Sequence, residues 1–273
     1  MARYARLLDR PEDRETFLAR ARRIRKAFND TFFKPEKDQY DNGSQTSSLL
    51  PLAFDLVPAG ERQDVAERLI HKIMVESNAH VGTGLIGCQW LMRTLTDFGH
   101  EDLALAIASQ RDYPSWGYMV EQGATTIWEL WNGDTANPAM NSRNHVMLVG
   151  DLYIWFNEYL AGIRSHFAQP GYKHFTLNPV LAGDLKWVKA DHRSPYGRIV
   201  SNWSREGGKL RWHVNVPANS TATAHVPTAD AEEVMLSDHP AADAAGVTFK
   251  EVQNGKAVFE LQSGEYHFTS PLE

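Results

Sequence analysis

The chain has 273 residues, of which 42% are hydrophobic and 23% are charged, and its formal net charge at pH 7 is −6. This length suffices for one large domain or two modest ones with a buried core. An acidic chain without a basic stripe argues against nucleic acid and anionic membranes as partners. The single cysteine, Cys88, excludes an internal disulfide framework.

The first residues, MARYARLLDRPEDRETF, contain no apolar segment of the kind found in secretory signal peptides. Elsewhere no apolar run approaches the roughly 18 residues of a membrane-spanning helix. From these two patterns we expect a cytoplasmic protein with no membrane partner.

Residues 12 to about 166 carry a helical pattern. In the first helix, apolar residues recur every three to four positions among Arg and Lys, which predicts an amphipathic helix. The residues that set this spacing are Phe17, Ala21, Ile24 and Phe28. Further helices are predicted over SQTSSLLPLAFDLVP (capped by Ser44 or Thr46), AGERQDVAERLIHKIMVES, GLIGCQWLMRTLTDFG, HEDLALAIASQ and NHVMLVGDLYIWFNEYLAGIR. Short turns between these helices predict antiparallel hairpins.

After about residue 171 the pattern becomes that of β-strands. In LRWHVNV, Trp212, Val214 and Val216 alternate with polar residues, which is typical of a half-buried strand. Similar short runs are HFTLNPV, RIVSNWS, TATAHVP, GVTFKEV, KAVFELQ and EYHFTS. Seven or so strands in about 100 residues predict an antiparallel β-sandwich. The chain is therefore predicted to be multidomain, with a helical domain over 1–168 and a sandwich over 169–273.

An irregular segment, RDYPSWGYMVEQGATT, interrupts the helices and leads into TTIWELW. Four carboxylates lie in this region among large aromatic residues: Asp112, Glu121, Glu129 and Asp134. Glycoside hydrolysis needs two carboxyl groups facing the scissile bond, with aromatic walls for the sugar. The competing interpretation is that Glu129 caps a helix or pairs with an arginine, while the flanking Trp128 and Trp131 belong to the core.

Other chemistries are not predicted. The 11 histidines are scattered, and no HExxH or paired-cysteine spacing occurs, so we expect no catalytic metal. There is no GxSxG motif for a serine nucleophile and no glycine-rich phosphate loop after a strand, and no cofactor is expected. Cys88 lies in an apolar helix, which favours a buried structural thiol.

The segment HVGTGLIGCQWLMRTLTDFGHEDLALAIASQRDYPSWGYMVEQGATTIWELW, followed by AMNSRNHVMLVGDLYIWFNEYLAGI, resembles the bacterial α-L-rhamnosidases of glycoside hydrolase family 78. QTSSLLPLAFDLVP resembles the same family, as does YKHFTLNP leading into SPYGRIVSNW. The resemblance implies a catalytic (α/α)6 toroid of helical hairpins followed by a C-terminal β-sandwich. It also implies inverting hydrolysis of terminal α-L-rhamnosyl residues in a rhamnose-containing glycoside or oligosaccharide.

The same resemblance implies roles for individual residues. Glu129, in the TTIWE block, is the general base that activates water. His145, in the MNSxNH block, contacts the sugar. The full set of implied substrate-binding residues is Trp116, Trp128, Trp131, Asn144 and His145.

The resemblance covers the second half of the toroid. In the family the general acid and its acidic block lie upstream, in the first half, and nothing in residues 1 to 40 resembles that block. About six substantial helices are predicted, against the twelve of a closed toroid. We therefore expect a partial toroid without the general acid, for which Asp112 and Glu121 are weak substitutes, and self-association through exposed helix faces.

Two alternatives stay open at this point. The chain is compatible with another toroid glycosidase, such as an α-L-fucosidase or a trehalase-like hydrolase, which a panel of nitrophenyl glycosides would distinguish. It is also compatible with a non-catalytic carbohydrate-binding or structural remnant, which predicts sugar binding or none, with no turnover.

Overall fold

The computed structural model describes residues 1–166, 169–237 and 239–272. The chain divides into two compact units, Met1–Leu148 and Val149–Glu273. The first unit is helical and the second is mainly β-sheet. The boundary that we predict between 168 and 169 falls at Ala168, which lies outside the described residues. Within the described part of the chain, no helix combines the length and apolar character needed to cross a bilayer.

The first unit contains helices joined by short connections: the predicted ones occur in order, and two more, over Ala2–Leu7 and over Trp116–Glu121 in the segment predicted to be irregular, lie where the sequence predicts none. Ser44 caps the third of them as predicted, because its hydroxyl oxygen accepts a hydrogen bond from the Ser47 N–H at 3.2 Å. A short hairpin follows the second helix, and a π-helical turn over Lys72–Glu76 extends the fourth. The helices and strands are α1 (Ala2–Leu7), α2 (Pro11–Phe32), β1 (Phe33–Lys34), β2 (Gln39–Tyr40), α3 (Gln45–Ala53), α4 (Arg62–His71), α5 (Leu85–Asp97), α6 (Glu101–Ala108) and α7 (Trp116–Glu121).

The core of this unit lies between α3, α4, α5 and α6, where α3 packs against α4 and α5, and α5 packs against α6. Burying each large apolar side chain contributes about 1.5–3 kcal/mol relative to leaving it in water. The buried apolar side chains include Leu49, Leu52, Val65, Leu69, Cys88, Leu91, Leu95 and Ile107. Cys88 is therefore a buried free thiol, as expected.

Helix α2 forms where the sequence predicts it, but its apolar face is not buried. No residue of α2 is buried, and Ile24 remains 56% exposed. Near its C-terminal end, Phe28 packs against Phe32 and against Tyr40 of the following hairpin, with ring centroids 5.2 and 5.6 Å apart. An amphipathic spacing predicts a helix with an apolar side, but burial of that side also requires another element that packs against it.

The long helix predicted over NHVMLVGDLYIWFNEYLAGIR is broken. A 3₁₀ turn over Val146–Leu148 ends the first unit, and the second begins with α8 (Gly150–Trp155) and a π-helical turn over Phe156–Leu160. The break lies at Val149, between the 3₁₀ turn and Gly150, the first residue of α8.

The second unit is a β-sandwich, which confirms the predicted fold class. One sheet has the order β10-β9-β13-β7-β6-β5 and the other β11-β12-β8-β4-β3. All neighbours are antiparallel except β4 and β8. The strands are β3 (Ile163–Ser165), β4 (His174–Leu177), β5 (Trp187–Ser194), β6 (Gly197–Glu206), β7 (Lys209–Val216), β8 (Thr221–Val226), β9 (Met235–Leu236), β10 (His239–Pro240), β11 (Val247–Gln253), β12 (Lys256–Leu261) and β13 (Gly264–Pro271).

Four of these strands were not predicted: β3, β5, β9 and β10. Three are two or three residues long, which is too short to show a period. Strand β5 is an edge strand whose inward positions include Val188 and Ala190 and whose outward ones are largely charged, so its apolar signal is weak.

The sandwich core is closed by large side chains from both sheets: Phe175, Trp203, Trp212, Phe259 and Phe268. The buried indoles are hydrogen-bonded. Trp212 Nε1–H donates to Ser201 Oγ at 2.9 Å, and the Ser201 hydroxyl donates to the Ala161 carbonyl at 2.6 Å. Trp203 Nε1–H donates to the Leu160 carbonyl at 2.7 Å. These bonds hold the end of the helical segment against the sheet within this unit.

Candidate active site

Glu129 lies in an irregular stretch between α7 and the end of the first unit, where two segments run side by side. The Glu129 N–H donates to the Ser142 carbonyl at 2.8 Å, and the His145 N–H donates to the Ile127 carbonyl at 2.7 Å. The Ser142 N–H in turn donates to Glu129 Oε2 at 2.9 Å. The TTIWE block (125–129) and the MNSRNH block (140–145) are therefore joined by backbone hydrogen bonds.

This pairing brings two of the predicted site residues together. His145 Nδ1 lies 4.0 Å from Glu129 Oε2, and the side chains of Glu129 and His145 are 41% and 18% exposed. The carboxylate is fixed by a backbone N–H yet remains open to water. A carboxylate positioned in this way can accept a proton from a water molecule, provided that the water is placed against a substrate.

Trp128 lies beneath this carboxylate segment and is buried. A Cβ atom added to Gly133 would come within 2.6 Å of the Trp128 indole, so the turn after TTIWE packs directly on the ring. Asn141, itself buried, fixes the same turn: its Oδ1 accepts from the Leu130 N–H at 3.2 Å, and its Nδ2 donates to the Gly133 carbonyl at 3.2 Å. Glu129 is thus held on a rigid support.

Trp116 and Trp131 form an edge-to-face pair with ring centroids 5.2 Å apart. Trp116 is buried and its Nε1–H donates to the Leu148 carbonyl at 3.0 Å. Trp131 is partly exposed and its Nε1–H donates to the Thr83 carbonyl at 3.0 Å. A hydrogen bond orients each ring, and Trp131 is the more exposed of the two.

Asn144 is exposed, and its backbone N–H donates to Ser142 Oγ at 3.2 Å, which closes a turn at this point of the chain. A cavity of about 370 Å³ lies beside this segment, and Trp128, Asp134 and Arg143 are among the residues that line it. The Tyr118 hydroxyl donates to Asp134 Oδ2 at 3.0 Å, and this hydrogen bond raises the pKa of Tyr118.

The two weak substitutes for a general acid occupy ordinary surface positions. Glu121 forms an ion pair with Arg111 at 3.0 Å, and Asp112 is exposed. Neither is hydrogen-bonded to Glu129 or His145 in the described structure. Sequence reasoning did not single out Asn141, which makes hydrogen bonds to the backbone, or Gly133, which lies close to the Trp128 ring. Asn141 belongs to the MNSRNH block, so that motif could have identified it.

Comparisons with known proteins agree along the whole chain. Residues 1–160 match the family model for the bacterial alpha-L-rhamnosidase 6 hairpin glycosidase domain, and residues 162–239 match the model for the bacterial alpha-L-rhamnosidase C-terminal domain. An alpha-L-rhamnosidase of Formosa agariphila is 34% identical over 98% of this chain and 29% of its own length. One of Streptomyces avermitilis is 33% identical over 90% of this chain and 23% of its own length.

Solved structures give the same result. The alpha-L-rhamnosidase of Dictyoglumus thermophilum superposes with a TM-score of 0.88 at 33% identity, over 99% of this chain and 30% of that one. The Streptomyces avermitilis alpha-L-rhamnosidase complexed with L-rhamnose superposes with a TM-score of 0.86 at 31% identity, over 98% of this chain and 25% of that one.

This chain therefore spans less than a third of the length of these relatives. The first family model alone matches more than half of the chain, and it covers the TTIWE and MNSRNH blocks. The chain belongs to the bacterial α-L-rhamnosidase family.

Proposed function

We propose that this chain supplies the general-base side of an inverting α-L-rhamnoside hydrolysis site, with Glu129 as the base. The observation that carries the proposal is the Glu129–His145 pair, in which a water-accessible carboxylate fixed by a backbone N–H lies 4.0 Å from an imidazole. The family supports the substrate class, since one relative of known structure was complexed with L-rhamnose.

In the proposed step, Glu129 accepts a proton from a water molecule as the water oxygen bonds to the anomeric carbon. The bond from that carbon to the glycosidic oxygen breaks, and the leaving oxygen takes a proton from a general acid. Inverting enzymes hold the acid and base about 6.5–9.5 Å apart, which leaves room for the water. We do not assign the acid to any residue of this chain.

His145 is proposed to contact the sugar, because its imidazole faces Glu129 and its backbone is bonded to the TTIWE block. Asn144 and Trp131 are proposed as further contacts from the exposed rim. Trp116 and Trp128 are proposed to act from below, by shaping the pocket and fixing the orientation of the segment that carries Glu129.

Leaving-group dependence tests the proposal. The chain should hydrolyse 2,4-dinitrophenyl α-L-rhamnoside, whose leaving group needs no protonation, far better than a natural rhamnoside such as naringin. Glu129→Gln should lower kcat for the activated substrate by about a hundredfold or more, the usual contribution of a positioned base. Glu121→Gln, an acid-to-amide change at the Arg111 ion pair, is the matched control and should leave kcat unchanged.

Each alternative predicts a different result. Hydrolysis of the L-fucoside in preference to the L-rhamnoside would indicate another toroid glycosidase. Binding of L-rhamnose without turnover of either rhamnoside would indicate a non-catalytic carbohydrate-binding chain. Hydrolysis of naringin at an enzyme-like rate would mean that a carboxylate of this chain serves as the acid.

We also propose that the chain self-associates through the uncovered side of α2. The support is that α2 has no buried residue and that Ile24 is 56% exposed at the centre of its apolar stripe.

A further inference from the structure

The outer face of the six-stranded sheet carries a cluster of two imidazoles and a carboxylate that hydrolysis does not use. His213 on β7 lies directly opposite His267 on β13, and Glu265 precedes His267 by two positions. Residues two apart on a strand share a face, and opposed residues on antiparallel neighbours lie about 4.5–5.5 Å apart. The sheet register therefore brings the three side chains together, away from the buried core.

The distances from Glu265 to the two histidines in this cluster lie on either side of the separation between two ligands of a zinc ion. One ligand atom of each residue lies within 4.8 Å of the other two. Glu265 Oε1 is 2.8 Å from His213 Nε2 and 3.7 Å from His267 Nε2. Two nitrogen or oxygen ligands bound to a tetrahedral zinc ion lie about 3.4 Å apart, because each is about 2.0–2.1 Å from the metal.

The hydrogen bonding of His213 gives a second, independent indication. Its Nε2 atom is shielded from solvent and has no hydrogen-bond partner in the described structure, even though Glu265 Oε1 is 2.8 Å away. The ring nitrogen is thus close to the oxygen but not aimed at it. Buried polar atoms normally have a partner, and one without a partner calls for a chemical explanation.

The two imidazole rings are stacked, with centroids 4.6 Å apart and planes 8° from parallel. The His213 side chain is 31% exposed, whereas the His267 and Glu265 side chains are each 62% exposed.

We infer that His213, Glu265 and His267 bind a divalent transition-metal ion of the zinc type and link β7 to β13. Neutral imidazoles and one carboxylate are ligands that suit such an ion, and its remaining coordination positions would be filled by water. Both histidines line a depression of about 280 Å³ on the sheet surface, and the exposed side chains of His267 and Glu265 can be reached from solvent. The role is structural, because an ion that binds the folded sheet stabilises it by mass action.

Zinc titration of the full chain, purified without a polyhistidine tag and stripped of metal, tests this inference. Calorimetry should show one Zn²⁺ per chain, and His267→Gln should weaken binding at least tenfold. His239→Gln, which changes an exposed histidine at the edge of the same sheet, is the matched control and should bind Zn²⁺ like the unaltered chain. Because His267 is exposed, its replacement leaves the core intact, which circular dichroism would verify.

A second readout separates this site from chance binding elsewhere. Zn²⁺ should raise the Tm of the unaltered chain and of His239→Gln, and should not raise that of His267→Gln or His213→Gln. Equal Zn²⁺ affinity in His267→Gln and in the control would overturn the inference and mean adventitious binding. Absence of Zn²⁺ binding to the unaltered chain would overturn it as well.

Discussion

The two units of this molecule differ in how completely each buries its own apolar surface. The sandwich buries one continuous core between two sheets, with Trp203 and Trp212 paired across β6 and β7. In the helical unit, α3 to α6 share a core, but α2 has no buried residue. The sandwich strands thus pair with strands of the same unit, whereas the apolar side of α2 is not buried by the rest of the helical unit.

This difference separates two kinds of information in a sequence. The alternating apolar residues of a strand are buried by neighbouring strands of the same unit, so the sandwich can be predicted from its own residues. A helix stripe indicates that some surface covers it without indicating which surface.

Trp212→Ala should lower the free energy of unfolding by about 3–5 kcal/mol, because it leaves a cavity in the closed core and removes the bond to Ser201. Trp187→Ala removes the same side chain from the exposed surface of the same sheet, where it is 62% exposed, and should change stability by less than about 0.5 kcal/mol. Urea unfolding measures both. Equal losses would show that the sandwich core is not what stabilises this unit.

Gly133→Ala should destabilise the helical unit by about 1–3 kcal/mol, because the new methyl group would meet the Trp128 ring at 2.6 Å. It should also lower Glu129-dependent turnover, since the support of Glu129 must shift. Gly60→Ala places a methyl group where no atom lies within 4 Å and should leave both properties unchanged. A Gly133→Ala variant with unaltered turnover would show that the Trp128 contact does not position Glu129.

Ile24→Gln should reduce self-association, measured as the average mass by light scattering across a concentration series. The change should alter the free energy of unfolding by less than about 0.5 kcal/mol, because the side chain is already exposed. Arg20→Gln, on an exposed position of the same helix, should leave the average mass unaltered. A chain that is monomeric before any substitution would contradict the proposed role of this face.

Glu76→Gln should have the smallest effect, and a pH-dependent one. Hydrogen bonds from Arg68 and Lys72 hold the pKa of Glu76 at about 2, below its ordinary value of 4.5. A lowered pKa stabilises the folded state above about pH 4.5, and this contribution is lost as the pH falls towards about 2. The difference in urea midpoint between the unaltered chain and Glu76→Gln should therefore be present at pH 6 and shrink below pH 4.5. It should be small and screened by salt, because the group is exposed. Glu67→Gln, whose carboxylate accepts from Gln63, is the control; a difference that grows on acidification would contradict the sign.

The sequence predicted elements where a local pattern was sufficient. The sequence offers Ser44 or Thr46 as the cap of α3, because capping needs one hydroxyl at a helix start, and the structure shows Ser44 in that role. Seven strands of the sandwich are predicted by the alternation of their residues, whereas the eight-residue edge strand β5 is not, because its apolar signal is weak. The break at Val149 is not predicted, because the apolar residues on both sides continue a helical spacing across it.

The candidate site was predictable in part, for a related reason. The resemblance singled out Glu129 and His145, and the structure brings them within 4.0 Å. Asn141 and Gly133 were missed because their contributions depend on the folded structure. The two backbone hydrogen bonds of Asn141 and the close approach of Gly133 to Trp128 form only when the TTIWE and MNSRNH blocks lie side by side. The histidine cluster was missed because its members come from separate strands and meet through register.

Glu129 and His145 are proposed to act in one site. A double-mutant cycle on kcat/KM for 2,4-dinitrophenyl α-L-rhamnoside, with Glu129→Gln, His145→Ala and the double variant, tests it most directly. We expect each single change to lower kcat/KM at least about tenfold, and the loss in the double variant to be much smaller than the product of the two single losses. Losses that multiply, or a Glu129→Gln variant as active as the unaltered chain, would contradict it.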